Sequence, residues 1–191
     1  MDRFVLCITG ASGAIYGYRA IEELSRTSHL EVIVSSAGRV VLKEELGKGL
    51  EELREEFPQV SFLNEKDMTA HVASGSVLSG YRGVIVMPCS MSTLASVANG
   101  VNSNLIHRVC EVALKERVKL IMLVREMPYS RVHIENMLKA TESGAIVVPA
   151  SPGFYHNPES IEELIDFVVG KVFDLLGLEH TLYKRWKGGG K

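Results

Sequence analysis

Arg125 and Glu126 follow directly on the run VKLIMLV (118–124), and Pro128 turns the chain outward just beyond them. A guanidinium beside a carboxyl at the end of a buried strand suits chemistry that neutralises negative charge and moves a proton. A buried structural ion pair is the competing reading, because unpaired charge is costly there. Adjacent residues can point opposite ways, so these two need not pair with each other. In PCSMST (88–93), Ser90, Ser92 and Thr93 open a helix. Hydroxyls and free N–H groups at a helix start suit an anion or polar ligand, although one of the three serves simply as a cap. In ITGASGAIYG (8–17), Gly10, Gly13 and Gly17 surround the hydroxyl of Ser12. Arg108, Lys115, Arg125, Lys171 and the pair Lys184–Arg185 supply enough positive charge for two phosphate groups rather than one. Arg108 and Lys115 are two helical turns apart and so lie near one face. Lys115 also suits the helix dipole, and a face turned to a partner helix or a second subunit reads equally well.

These residues must be held by elements that alternate. Apolar runs at 4–10, 30–36, 83–88, 118–124 and 145–150 read as strands, with a short one at 60–63. Helical spacing is found at 14–25, 38–46, 49–57, 90–100, 104–117, 130–144 and 158–177, the last with Asn157 available as its cap. Residues 64–81 are polar and irregular, and the tail after 177 reads as basic and loosely structured. Strands apolar on both sides mark a mostly parallel sheet covered on both faces, hence a three-layer α/β/α sandwich. Ligands gather at the carboxyl ends of such strands. Those ends are Gly10–Gly13, Ser35–Ser36, Pro88–Ser92, Arg125–Tyr129 and Pro149–Tyr155.

The glycine turn argues against a dinucleotide site. Its spacing is Gly-x-x-Gly-x-x-x-Gly, not Gly-x-Gly-x-x-Gly, and Ser35–Ser36 stand where an acidic ribose partner belongs. The one Tyr-x-x-x-Lys spacing, Tyr183–Lys187, lies in the tail.

The formal net charge is -2 over 191 residues, which gives no reason to expect nucleic acid or an anionic membrane as partner. Hydrophobic residues make up 46%, enough for a globular core, and no run approaches a bilayer span. Cys7, Cys89 and Cys110 are widely separated and odd in number, which predicts a reducing compartment without disulfides. With no signal-peptide pattern, the cytoplasm is expected. Cys89 lacks a neighbouring base and reads as core. His71, His107, His133 and His156 lack metal-ligand spacing, so no metal site is expected and surface or packing roles are expected for each.

The segments GASGAIYG, VLKEE with Glu45, SGS (74–76), PCSMSTLA, NLIHRV, ALKER, VREMP, PASPGFYHNP and YKRW run in this order from residue 3 to about 187. Together they resemble the flavin prenyltransferases of the ubiquinone-biosynthesis type, formerly called 3-octaprenyl-4-hydroxybenzoate carboxy-lyases. The resemblance implies a Rossmann-like flavoprotein fold. Residues 1–178 would bind flavin, and 179–191 would contribute to the site or a subunit interface. It further implies metal-independent transfer of dimethylallyl from dimethylallyl monophosphate to N5 of reduced FMN, with ring closure at C6. A dodecamer with sites shared between subunits is implied, as is a separate decarboxylase that uses the prenylated FMN.

The same resemblance distributes roles among residues. Ser12 would stand near flavin N5, with Glu45, Lys115, Glu126 and Tyr155 completing the catalytic set. FMN contacts would come from Gly10, Ala11, Ser12, Gly13, Ser35, Ser76, Ser90, Ser92, Thr93 and Arg125. The prenyl phosphate would meet Lys115, Arg125, Glu126, Tyr155 and Lys171, with Arg108 and Trp186 in support. Many members carry arginine where this chain has Lys171, which keeps the charge and loses the forked geometry. Two alternatives stay open. One is an FMN-dependent cysteine decarboxylase of related fold, whose Pro-x-Met-Asn motif is replaced here by PCSMS. The other is a non-catalytic FMN-binding subunit of an aromatic acid decarboxylase system.

Overall fold

The structure is a computed structural model that describes residues 1–186; Lys187 of the Tyr-x-x-x-Lys spacing and the GGGK end lie outside them. The strands are β1 (Arg3–Ile8), β2 (His29–Val34), β3 (Ser61–Leu63), β4 (Gly83–Cys89), β5 (Leu120–Val124) and β6 (Ile146–Pro149). They form one sheet in the order β3-β2-β1-β4-β5-β6, and every pairing is parallel. The helices are α1 (Ala14–Thr27), α2 (Ser36–Leu46), α3 (Leu50–Glu56), α4 (Gly75–Leu78), α5 (Met91–Ala98), α6 (Leu105–Glu116), α7 (Arg131–Glu142) and α8 (Ile161–Leu176).

Alternation along the strands divides the interior into two cores. Phe4, Leu6 and Ile8 face one side and pack with Ile21, Leu24, Leu42 and Val169 from α1, α2 and α8. Val5 and Cys7 face the other side and pack with Leu94, Ile106, Val109 and Ala140 from α5, α6 and α7. This is the three-layer sandwich the sequence predicts. All three cysteines are buried and free. Burial pushes the Cys89 thiol well above its ordinary value, which removes it as a nucleophile. Among the described residues, no helix is long and apolar enough to cross a membrane.

Local chemistry accounts for the differences in boundary. The strand expected over 30–36 stops at Val34, because the Ser35 hydroxyl accepts the Gly38 N–H at 2.9 Å and caps α2. The irregular 64–81 stretch contains a short 3-10 turn, His71–Ala73, and the single-turn α4. Asn157 does not cap α8. Its φ of 51° is left-handed, whereas Ser160 is extended and accepts the Glu163 N–H at 3.2 Å. The tail through Trp186 is not loose. Leu178, Leu182 and Tyr183 pack on the first core, and the His180 side chain is 4% exposed.

Gly17 permits α1 to lie against the sheet. A Cβ there would stand 2.5 Å from the Met87 carbonyl oxygen and 2.8 Å from Ile8 Cγ1. Glycine-to-alanine in a helix interior ordinarily gains about 1 kcal/mol. Here Gly17→Ala is expected to lose stability, because overpacking costs roughly 1–3 kcal/mol. A lowered denaturant midpoint at unchanged m-value is the expected result; a raised midpoint would show that α1 can shift outward freely.

Candidate active site

The sheet order reverses between β1 and β4, so the loops after these strands diverge and open a cleft at their carboxyl ends. Buried Thr9 ties the two ends together. Its hydroxyl donates to the Pro88 carbonyl at 2.8 Å and accepts the Ser90 N–H at 2.8 Å. Three helix N-termini then converge. Ser35 caps α2. The Ser90 hydroxyl accepts the Thr93 N–H at 3.2 Å at the start of α5, and Asn104 accepts the His107 N–H at 3.0 Å at the start of α6. Around them lies a cavity of about 260 Å³ lined by Gly10, Ser35, Ser36, Ala37, Glu65, Ser90, Ser92, Thr93, Asn104 and His107. Hydroxyls and the positive ends of three helices suit an anionic, polar ligand.

Beside the cavity, Glu45 reaches from α2 to the start of α1. Its carboxylate accepts the Gly13 N–H at 2.9 Å and the Ala14 N–H at 2.8 Å. Gly13 itself has φ 101°, a left-handed conformation that suits glycine. Arg125 Nε donates to the Ser12 carbonyl at 3.2 Å. Arg125 and Glu126 do point apart: Glu126 Oε1 accepts the Met127 N–H at 3.0 Å. Burial alone would raise the Glu45 pKa. The Ser12 hydroxyl, the Ala14 and Gly13 N–H groups and the Arg125 charge outweigh it and hold the carboxyl below its ordinary value.

A carboxyl depressed in the folded state contributes stability that is present above its unfolded pKa. That stability is lost as pH falls through the folded value. The unfolding midpoint is therefore expected to drop more steeply below about pH 4.3, the ordinary glutamate value, in the natural chain than in Glu45→Gln. Parallel acid limbs would mean that the loop does not depend on the Glu45 charge.

The residues singled out in the sequence fall into three groups. Gly10, Ala11, Ser12, Gly13, Ser35, Glu45, Ser90, Ser92, Thr93, Arg125 and Glu126 all lie on or directly after the carboxyl ends of β1, β2, β4 and β5, or reach there from α2. A second group stands on the β6–α8 flank. Tyr155 meets Phe167 at 5.6 Å and Trp186 at 6.0 Å between ring centroids, both edge-on. Lys171 lines a cavity of about 180 Å³ with Val148, Pro149, Ser151, Phe167 and Val168.

The third group is not brought to the cleft by this chain. α6 starts at the cleft and runs away from it, so Lys115 lies roughly 15 Å down its axis at 1.5 Å per residue. There its ammonium pairs with Glu116. Ser76 stands on α4 beside it, with its hydroxyl 3.0 Å from that of Ser74. Arg108 stands in the first turn of α6, but its guanidinium turns to the Ala73 carbonyl at 3.3 Å and to Glu111 at 2.7 Å.

Glu65 and Asn104 escape the sequence reading altogether, Ser36 enters it only as part of a strand end, and His107 is expected there to pack or lie at the surface. Ser36 donates to buried Glu65. Burial holds His107 below the ordinary histidine value, against the opposing pull of Glu65. Asn104 and His107 carry a readable signal, an Asn-x-x-His start to an amphipathic helix. The Ser36–Glu65 pair, joined across two loops, carries none.

A parallel sheet with a hydroxyl-lined cleft at its reversal point is an architecture that flavoproteins share with other doubly wound folds, and the family model described as Flavoprotein matches residues 1–173. Over 189 residues the chain is 54% identical to the flavin prenyltransferase UbiX of Aquifex aeolicus, covering 98% of this chain and 100% of that one. Its backbone matches the crystal structure of AnUbiX (PadA1) in complex with FMN and dimethylallyl pyrophosphate. The TM-score is 0.93 at 37% identity, with 99% of each chain covered. It also matches a dodecameric FMN-dependent UbiX-like decarboxylase from Escherichia coli O157:H7, with TM-score 0.91 at 33% identity over 97% of this chain and 100% of that one. The chain belongs to the flavin prenyltransferases.

Proposed function

We propose that this chain transfers dimethylallyl from dimethylallyl monophosphate to reduced FMN and closes a ring, giving prenylated FMN. The donor's C–O bond breaks with its electron pair leaving on phosphate. A bond forms at N5, which gives up its proton. Ring closure then adds C6–H across the prenyl double bond: C6 loses a proton and the alkene carbon next to the transferred one gains one.

The observation that carries the reading is the cleft itself. Hydroxyls of Ser35, Ser36, Ser90, Ser92 and Thr93 lie at capped helix starts, a donor set that fits a ribityl phosphate. The neighbouring Glu45–Ser12–Arg125 group fixes the loop over which the flavin ring would lie. Bound FMN supplies the nucleophilic N5 and C6 atoms. Ser12 orients the ring edge, Arg125 neutralises phosphate charge and Glu126 moves protons. Tyr155 and Lys171 complete the donor's side, with Trp186 against Tyr155.

Lys115, Ser76 and Arg108 enter this reading through a second copy of the chain. Met127, Val132, Ile134 and Leu138 are all more than half exposed. Apolar residues in that number support an assembly, which we take to be a dodecamer with shared sites. The tail 179–191 would then serve the site or an interface. We place the protein in the cytoplasm, where its three free thiols stay reduced, and assign its product to a separate decarboxylase.

Anaerobic incubation with reduced FMN and dimethylallyl monophosphate, followed by mass analysis of the released flavin, tests the proposal. An added C5H8 unit that depends on the protein is expected. Unmodified flavin, with FMN binding verified and dimethylallyl diphosphate equally inert, would favour a binding subunit.

A further inference from the structure

Asp174 is the most heavily engaged acid of the chain's carboxyl end. Its side chain is 17% exposed. One oxygen accepts from His180 Nε2 at 3.1 Å and from Arg185 Nη2 at 2.5 Å. The other accepts the Tyr183 hydroxyl and lies 3.8 Å from Lys171 Nζ. Burial would raise its pKa, and the bonds from Tyr183, Arg185 and His180 outweigh that and lower it. All three of these donors come from the segment after α8.

The segment so held has a definite place. Tyr183 packs on Phe167 with centroids 4.9 Å apart. A Cβ on Gly170 would come within 2.6 Å of the Tyr183 ring and 2.7 Å of His180, so the segment lies directly on the helix. Trp186 then meets Tyr155. Lys171, one turn before Asp174, brings its half-exposed ammonium to 3.8 Å from the same carboxylate, a charge contact without a hydrogen bond.

We propose that Asp174 is a positioning residue for the prenyl donor: it clamps the segment 178–186 onto α8 and thereby fixes Trp186 against Tyr155 while holding the Lys171 ammonium. The inference rests on the reading that Tyr155, Lys171 and Trp186 form the donor's side of the site. Asparagine at 174 keeps the shape but removes the charge that four partners share. A small displacement of groups that orient a substrate costs activity without removing any contact to the flavin.

Trp186 is the single tryptophan of the chain, so its fluorescence anisotropy reports on the segment directly. In Asp174→Asn, Trp186 anisotropy is expected to fall, and the KM for dimethylallyl monophosphate to rise roughly tenfold with FMN affinity unchanged. Tyr183→Phe, which loses one hydroxyl and keeps the stack on Phe167, is expected to move both readouts in the same direction by less and guards against a folding failure at 174. A fall in anisotropy with the donor KM unmoved in both variants overturns the inference, as does unchanged anisotropy in both. Lys171→Ala and Tyr155→Phe test the underlying reading. If they leave the donor KM at its natural value, the donor binds elsewhere and both ideas fall. If they raise it while Asp174→Asn does not, only the role of Asp174 fails.

Discussion

Glu126→Gln is expected to lower the rate of prenylated-FMN formation by roughly 10²–10⁴-fold, the usual contribution of a positioned acid–base group, with FMN binding unchanged. The geometry makes this substitution informative. Arg125 is turned away to the Ser12 carbonyl, so Glu126 has no guanidinium partner among its hydrogen bonds. One of its oxygens accepts the Met127 N–H at 3.0 Å, and glutamine can accept the same bond through its own carbonyl oxygen. Shape and local backbone are therefore kept, and only the ability to hold and release a proton is lost. Two steps need such a group: protonation of the departing phosphate, and ring closure, in which a proton leaves C6 and another is added to the alkene. They are separable. If closure alone depends on Glu126, a flavin with an added C5H8 unit accumulates without the C6 bond, which NMR of the released product distinguishes. If departure of phosphate depends on it, no prenylated species forms. Natural rates in Glu126→Gln would remove the residue from the mechanism.

How much of this site was legible before the structure depends on the distance over which each contact acts. Caps are local: Ser90 and Ser130 lie within three residues of the N–H groups they accept, so a serine at the start of an apolar-periodic run is a signal that sequence carries. The central strands β1, β4 and β5 were legible because each is a nearly continuous apolar run buried on both sides. The all-parallel pairing, and with it the reversal between β1 and β4, follows from long connections whose placement no periodicity encodes. Glu45 is the clearest long-range case. It lies in the charged run KEE on a surface helix, and nothing local shows that it closes the first turn of α1 from 31 and 32 residues away. Asp174 was hidden differently. It stands in the otherwise apolar stretch VFDLLG, and its partners come from a tail that composition alone presents as a solvated basic run. Arg108 and Lys115 both reach the segment before β4, Arg108 at the Ala73 carbonyl and Lys115 beside Gly75, but spacing on a helix does not say which end faces the cleft.

That last point carries the second large expected effect. α6 begins at the cleft with Asn104 and ends in the left-handed Arg117, just before β5 starts at Leu120 at the amino end of the strands. Lys115 in the same chain is therefore too far from Arg125 and Glu126 to share a phosphate with them. If Lys115 nevertheless serves the donor, it serves the cleft of another subunit, and Lys115→Ala will be inactive with FMN binding intact. Mixing then decides the matter. Subunits carrying Lys115→Ala and subunits carrying Glu126→Gln are each inactive alone. Assembled together at equal amounts, they are expected to recover about a quarter of natural activity, because a site drawing its two halves at random receives both intact residues in that share of cases. The recovery should require dissociation and reassembly, or co-expression, and should not appear on simple mixing of preformed oligomers. Full activity of Lys115→Ala would return the residue to its bland role, an exposed ammonium paired with Glu116 near the end of a helix. An inactive Lys115→Ala that no mixture rescues would mean that both residues act within one chain, after a movement of α6 large enough to break its packing against the sheet.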